Sequence, residues 1–166
     1  VSADRKCPYS RRDALRGLVI YGLGDGVAAW LTDEFQLSRL LGIMLIGSTL
    51  YALEIPNYFR WIDRKAPGRR GLRDSIRRTL LALLYFNPLW IARHLFFIRC
   101  FSGHWEAISA ELLRLGAYSF LANIPIAFLA NYLIQNRLPY HWRFVGSAVF
   151  SALMAIYYAV SEVLFG

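Results

Sequence analysis

Four ionisable residues stand inside stretches that are otherwise almost free of charge: Asp25, Glu54 and the adjacent pair Arg93-His94. A charged side chain in such a stretch is costly in hydrocarbon. It must face a bundle interior, a wet cavity or an opposite charge. Asp25 and Arg93 are the expected partners, with His94 beside them. On helices that run parallel, Arg93 sits deeper by about 9 Å, a gap a long arginine side chain largely covers. The pair reads either as a static link between two helices or as part of a polar pore or a proton- or voltage-sensitive latch. Asn87, Asn123, Asn131 and Gln135 add amides along the same region. Amides line water paths, or they join helices for about 1–2 kcal/mol each or less.

Signatures of other chemistry are missing. No His, Cys, Asp or Glu residues fall at metal-ligand spacing, no glycine loop is placed to cradle phosphate, and no serine sits on a nucleophile elbow. Gly22-Leu23-Gly24-Asp25-Gly26 has the glycines of a dinucleotide loop but lies within an apolar segment with no strand before it. The sequence therefore reads as no enzyme and calls for no cofactor. Cys7 and Cys100 are expected on opposite sides of a membrane, too far apart for a disulfide.

These groups need elements to hold them. The run Leu115 to Asn136 has no Lys, Arg, Asp or Glu. As a helix it would reach roughly 33 Å, the thickness of a bilayer's hydrocarbon core. A chain of 166 residues has too little other material to bury such a helix in water. Hydrophobic residues make up 57% of the chain and aromatics 16%, and the mean hydropathy is +0.36. All three exceed what a soluble domain of this size usually carries. Further apolar segments run over about 17–31, 40–59, 79–98 and 144–165. Between the third and fourth, Trp105, Ile108, Leu112 and Leu115 recur at helical spacing, with Glu106, Glu111 and Arg114 off the stripe. That spacing predicts a short amphipathic helix over 104–115, lying at the interface. The fold class is an all-α membrane protein, a single embedded domain of about five hydrophobic helices plus one interfacial helix. Four full spans are the fallback.

Charge placement agrees. With five crossings, the N-terminus, the 60–78 connector and the 137–143 turn share one side, and that side collects 15 of the 19 Lys and Arg. This is the positive-inside bias. The net charge of +8 is thereby assigned to a membrane surface, and nucleic acid is not the expected partner. Arg60, Arg64, Lys65, Arg69, Arg70, Arg77 and Arg78 are the candidate contacts to anionic phospholipid such as cardiolipin. The first 16 residues lack the apolar core of a secretory signal, and a chain that starts at Val1 is expected to have lost an initiator Met or a longer presequence. Small residues mark candidate helix contacts: Gly22 and Gly26 in the first segment, and Ser147, Ser151, Ala155 and Ala159 in the last. The last stripe should meet another helix, in this chain, in a second copy or in a partner. Pro88 and Pro125 are expected to kink their helices.

At this point the chain resembles a known family, that of Mpv-seventeen and the twenty-two-kilodalton peroxisomal membrane protein, from about Arg16 to Ser161. The similar residues are Gly22-Leu23-Gly24-Asp25, Tyr58 to Asp63 followed by Pro67-Gly68, Phe86-Asn87-Pro88, Trp105, Pro125 with Asn131-Tyr132, and Pro139 to Arg143. Phe128 stands where the family has a glutamine, and the family's histidine before the aromatic pair is absent. The resemblance implies an integral protein of the mitochondrial inner membrane, or of the peroxisomal membrane, that is channel-like for small solutes. The alternative is an accessory subunit of a larger inner-membrane assembly, without transport activity of its own.

Overall fold

The computed structural model describes residues 9–67 and 71–165, with side chains through residue 160. Every regular element among the described residues is helical. Five long helices run up and down: α1 (Arg11–Leu31), α2 (Leu37–Lys65), α3 (Leu72–Phe101), α4 (Glu111–Asn136) and α5 (Tyr140–Phe165). All five are long and apolar enough to cross a membrane. One end of the bundle gathers the start of α1, the α2–α3 connection and the α4–α5 turn. These are the basic segments, and this is called the basic end below.

Local chemistry sets the element boundaries. Ser10 caps α1, its hydroxyl accepting from the Asp13 amide at 3.4 Å. The helix then runs through the arginines as one rod, so it is longer than the 17–31 segment of the sequence reading. At its far end Glu34 N–H donates to the Ala29 carbonyl at 2.8 Å, and Asp33 takes a positive φ of 56°. Aspartate tolerates that left-handed conformation better than most side chains. In α2 a π turn over Gly47–Tyr51 inserts into the α-helix. α3 is two helical halves that meet at Phe86 and Asn87. Pro88 opens the second half, where a missing N–H costs nothing, and Asn87 caps it by accepting from the Trp90 amide at 3.1 Å. Pro88 thus ends one helix and starts another rather than bending one.

The interfacial helix expected over 104–115 is not formed. Trp105–Ala107 make one 3₁₀ turn, and residues 111–115 are the first turns of α4. Leu112 and Leu115 thus belong to the spanning helix, while Trp105 and Ile108 precede it.

The core lies mostly between α1, α2 and α5. It is built from Tyr21, Tyr51, Ile55, Phe59, Phe144 and Ala148, all under 4% exposed. Gly22 and Gly26 face α2: a Cβ on Gly22 would meet Met44 Cγ at 2.5 Å, and one on Gly26 would meet Leu40 Cδ1 at 3.4 Å. The closest approaches are elsewhere. A Cβ on Gly17 would enter the Gly47 carbonyl, and one on Gly24 would overlap Ala152 of α5. α4 is the outlier. Only 11% of its most apolar window is buried, and Leu121, Ile126, Leu129 and Leu133 point outward. Such a face is at home in hydrocarbon and costly in water.

Overpacking a tight contact costs about 1–3 kcal/mol. Gly24→Val is therefore expected to lower the thermal unfolding midpoint of the detergent-purified protein by several degrees. Gly26→Ala should leave it within a degree or two. Equal effects would contradict the assigned α1–α5 contact.

Candidate functional site

Near the basic end α4 and α5 are joined by a short turn. Away from it they part, and a cavity of about 560 Å³ opens between them, with α1 and α3 as its other walls. Along α4 its lining runs from Leu115 to Asn131, and along α5 from Ser147 to Ala159. At 1.5 Å per residue those stretches are roughly 24 and 18 Å long, more than half of a hydrocarbon core. Past Asn131 and Ser147 the next turns bury Ile134, Gln135, Arg143 and Phe144. The cavity is therefore closed toward the basic end. At the other end Thr32, Glu34, Arg39 and Arg99 stand at its mouth, where Glu34 is half exposed.

Asp25 lies just inside that mouth. Its partner is Arg39, not Arg93 as expected. Arg39 Nε and Nη2 grip the Asp25 carboxylate at 3.0 and 2.8 Å in a two-point hydrogen bond, with both side chains under 10% exposed. Arg39 Nη1 also reaches Glu34 at 3.1 Å. The reason lies in the turn. The apolar segment legible in the sequence begins at about residue 40 and so excludes Arg39, whereas α2 starts at Leu37. Asp25 is six residues before the end of α1 and Arg39 two residues into α2, so a long side chain spans the offset.

Arg93 instead meets Glu54 of α2, its Nη1 lying 2.9 Å from a carboxylate oxygen. Both are about one-third exposed, on the wall of a separate, shallower hollow of about 300 Å³ lined also by Tyr58, Tyr85 and Asn87. Glu54, Arg93 and Asn87 are thus withdrawn from the main cavity. Asn87 is spent on its helix cap and on the Leu84 carbonyl at 2.9 Å. His94 does line the cavity; its Nδ1 lies 3.0 Å from the Tyr51 hydroxyl, and its ring stacks on Trp90 at 5.7 Å.

The amides of α4 fare differently. Ser119, Asn123, Ala127 and Asn131 follow one another at every fourth residue, and all four line the cavity. Asn123 Nδ2 donates to the Ser119 carbonyl at 2.8 Å and to the Tyr158 hydroxyl. Asn131 is 2% exposed; its Nδ2 donates to the Ala127 carbonyl, while its Oδ1 has no partner among the described residues. One turn on, Gln135 is fully buried with both amide atoms unpartnered among those residues. Opposite stands the stripe Ser147, Ser151, Ala155 and Ala159, again all lining. That stripe was expected to press against a helix. Ser147 and Ala159 are buried, at 3% and 5% exposure, and the row as a whole also lines the cavity on its α4 side.

The basic residues divide. Arg60, Arg64, Lys65 and Arg77 are exposed at the basic end, where Arg60 Nε also donates to the Tyr140 hydroxyl at 2.9 Å. Arg78 is 3% exposed and so is not a lipid contact in this arrangement: it lies on the inner side of α3 beside Thr79. Arg69 and Arg70 fall outside the described residues. Asp63 pairs with Arg143 at 2.8 Å, a contact between α2 and α5 that sequence spacing did not single out. Among the described residues no three His, Cys, Asp or Glu side chains converge as a metal would require.

Fold and cavity define a class, an all-α bundle with five helices able to span a membrane and a cavity between two of them. No protein-family model matches the chain, and neither a curated protein nor a solved structure does.

Removing one member of a buried ion pair strands the other and costs about 3–5 kcal/mol; removing both costs much less. Asp25→Asn and Arg39→Gln are each expected to destabilise the protein strongly, and the double variant to recover most of the loss. The same cycle with Asp25→Asn and Arg93→Gln should be additive. Thermal unfolding in detergent reads both, and additivity in the first cycle would refute the assigned pair.

Proposed function

We propose that the chain is an integral protein of an organelle membrane, of the Mpv-seventeen-like type, and that its cavity is part of a path for small solutes. The mitochondrial inner membrane is the proposed location, with the peroxisomal membrane second; exposed Arg64, Lys65 and Arg77 would meet anionic phospholipid there. The observation that carries the reading is the cavity between α4 and α5. Its volume of about 560 Å³ falls in the range of small-molecule sites, and polar groups from two helices converge on it. Because the basic end is closed by Phe144 and its neighbours, passage requires the floor to move, so the path is gated rather than an open pore.

A second reading, an accessory subunit of a larger membrane assembly, is favoured by the Glu54–Arg93 pair. An ion pair one-third exposed on spanning helices is better placed against a neighbouring protein, or a second copy, than against lipid.

The test is flux of small solutes into liposomes containing the purified chain. Flux above protein-free liposomes is expected, and Ala155→Trp, which fills the cavity, should lower it at least tenfold with the unfolding midpoint unchanged. No flux for any solute, together with recovery of the chain in a larger complex on native gels, would favour the subunit reading instead.

A further inference from the structure

The chemistry of the cavity goes further than its existence. Its formal charges, Asp25, Glu34, Arg39 and Arg99, all stand at the mouth. They balance in sign, and three of them are bound to one another. Beyond that ring the walls hold no Lys, Arg, Asp or Glu. What remains is a slot with aliphatic walls from Ile91, Leu95 and Met154, the His94 ring, and two facing polar stripes, Ser119, Asn123 and Asn131 on α4 and Ser147 and Ser151 on α5. Aromatic rings of Phe86, Trp90, Phe120 and Phe150 line it as well. An ion entering this slot would shed water and meet no opposite charge, which is strongly unfavourable in a medium of low polarity.

The floor is also unfinished. Asn131 lines the cavity at 2% exposure with a carbonyl oxygen that accepts nothing among the described residues. A buried acceptor in that state calls for a donor. A ligand hydroxyl supplies one, and its own oxygen can accept in turn from a serine hydroxyl. Carbon-bound hydrogens of the same ligand suit the aromatic walls.

We propose that the cavity is a binding site for small uncharged solutes rich in hydroxyl groups, the polyol class, with Asn131 as the group that holds them at the floor and the uncharged walls beyond the ring of Asp25, Glu34, Arg39 and Arg99 as the barrier to ions. This rests on the solute-path reading above and names what the path takes. Ions of either sign are excluded by the absence of charge along the slot, rather than by repulsion from one sign.

The experiment uses the full chain in liposomes with erythritol, lactate and methylammonium, three small solutes that are uncharged, negative and positive. Erythritol flux is expected to exceed both others at least tenfold. Asn131→Leu and, separately, Ser147→Val should cut it at least fivefold, and Leu129→Ala on the outer face should not. Lactate or methylammonium crossing as fast as erythritol overturns the inference and leaves the path standing. If no solute crosses, the path reading fails, and the site is decided by protection. In a Cys7→Ser, Cys100→Ser background carrying Ser151→Cys, erythritol should slow labelling by an aqueous thiosulfonate reagent, and lactate should not. Protection by erythritol alone supports the site, whereas protection by neither or by both overturns it.

Discussion

Arg39 reaching back across a turn to Asp25 is the interaction on which the rest of the arrangement depends. It joins α1 to α2 at the end remote from the basic loops, and it does so with two parallel hydrogen bonds between buried groups. In apolar surroundings neither residue could stay charged alone. Together they cancel, and the residual donor of Arg39 is taken by Glu34. Glu34 leaves that cluster with one negative charge in excess, which Arg99, also at the mouth, offsets. The tight seat of α1 against α2 and α5, with Gly17 on Gly47 and Gly24 on Ala152, continues the same junction inward.

From that junction the bundle divides into two regimes. Around α1, α2 and α5 it is close-packed, with aromatic rings and glycines in contact. Between α4 and α5 it is open, although α4 sits closely on α3, where a Cβ on Gly116 would meet the Pro88 carbonyl oxygen at 2.6 Å. The outer side of α4 is leucine and isoleucine; its inner side repeats serine, asparagine and alanine at every fourth residue. An α-helix keeps such a row on one face. The same row that would join α4 to a neighbour here lines the cavity, opposite the serine and alanine row of α5. Charge pairs elsewhere follow the rule set by Asp25 and Arg39: Glu54 with Arg93 and Asp63 with Arg143 link α2 to α3 and α5. α2 contributes to all three pairs.

Much of this is legible in the sequence, for physical reasons that differ by element. The five helices follow from uncharged length and from arginine asymmetry, both properties of the chain alone. The paired intramembrane charges also follow in kind: Asp25, Glu54 and Arg93 must have partners. Which partners is a matter of helix offset. Extending α2 by three residues at its start moved Arg39 from loop to helix and gave it to Asp25, which left Arg93 to Glu54. The 104–115 stripe did not mark a helix of its own: Leu112 and Leu115 lie in the first turns of α4 and Trp105 and Ile108 before it, and four apolar residues at helical spacing do not fix where a helix begins. Arg78 was grouped with its basic neighbours, yet helical rotation turns it inward while Arg77 stays out. The serine and alanine row of α5 was visible as a packing face. That it would stand across a gap from an amide row depends on how two helices splay, and no local pattern encodes that.

The central claim is that the inner rows of α4 and α5 face water while the outer faces do not. Cysteine scanning tests it most directly, in a Cys7→Ser, Cys100→Ser background reconstituted in liposomes, with single cysteines at Asn123, Ser151, Leu121 and Leu129. An aqueous thiosulfonate reagent is expected to modify the first two rapidly and the last two at least tenfold more slowly. Equal rates at all four positions, or faster labelling at Leu121 and Leu129, would contradict the account.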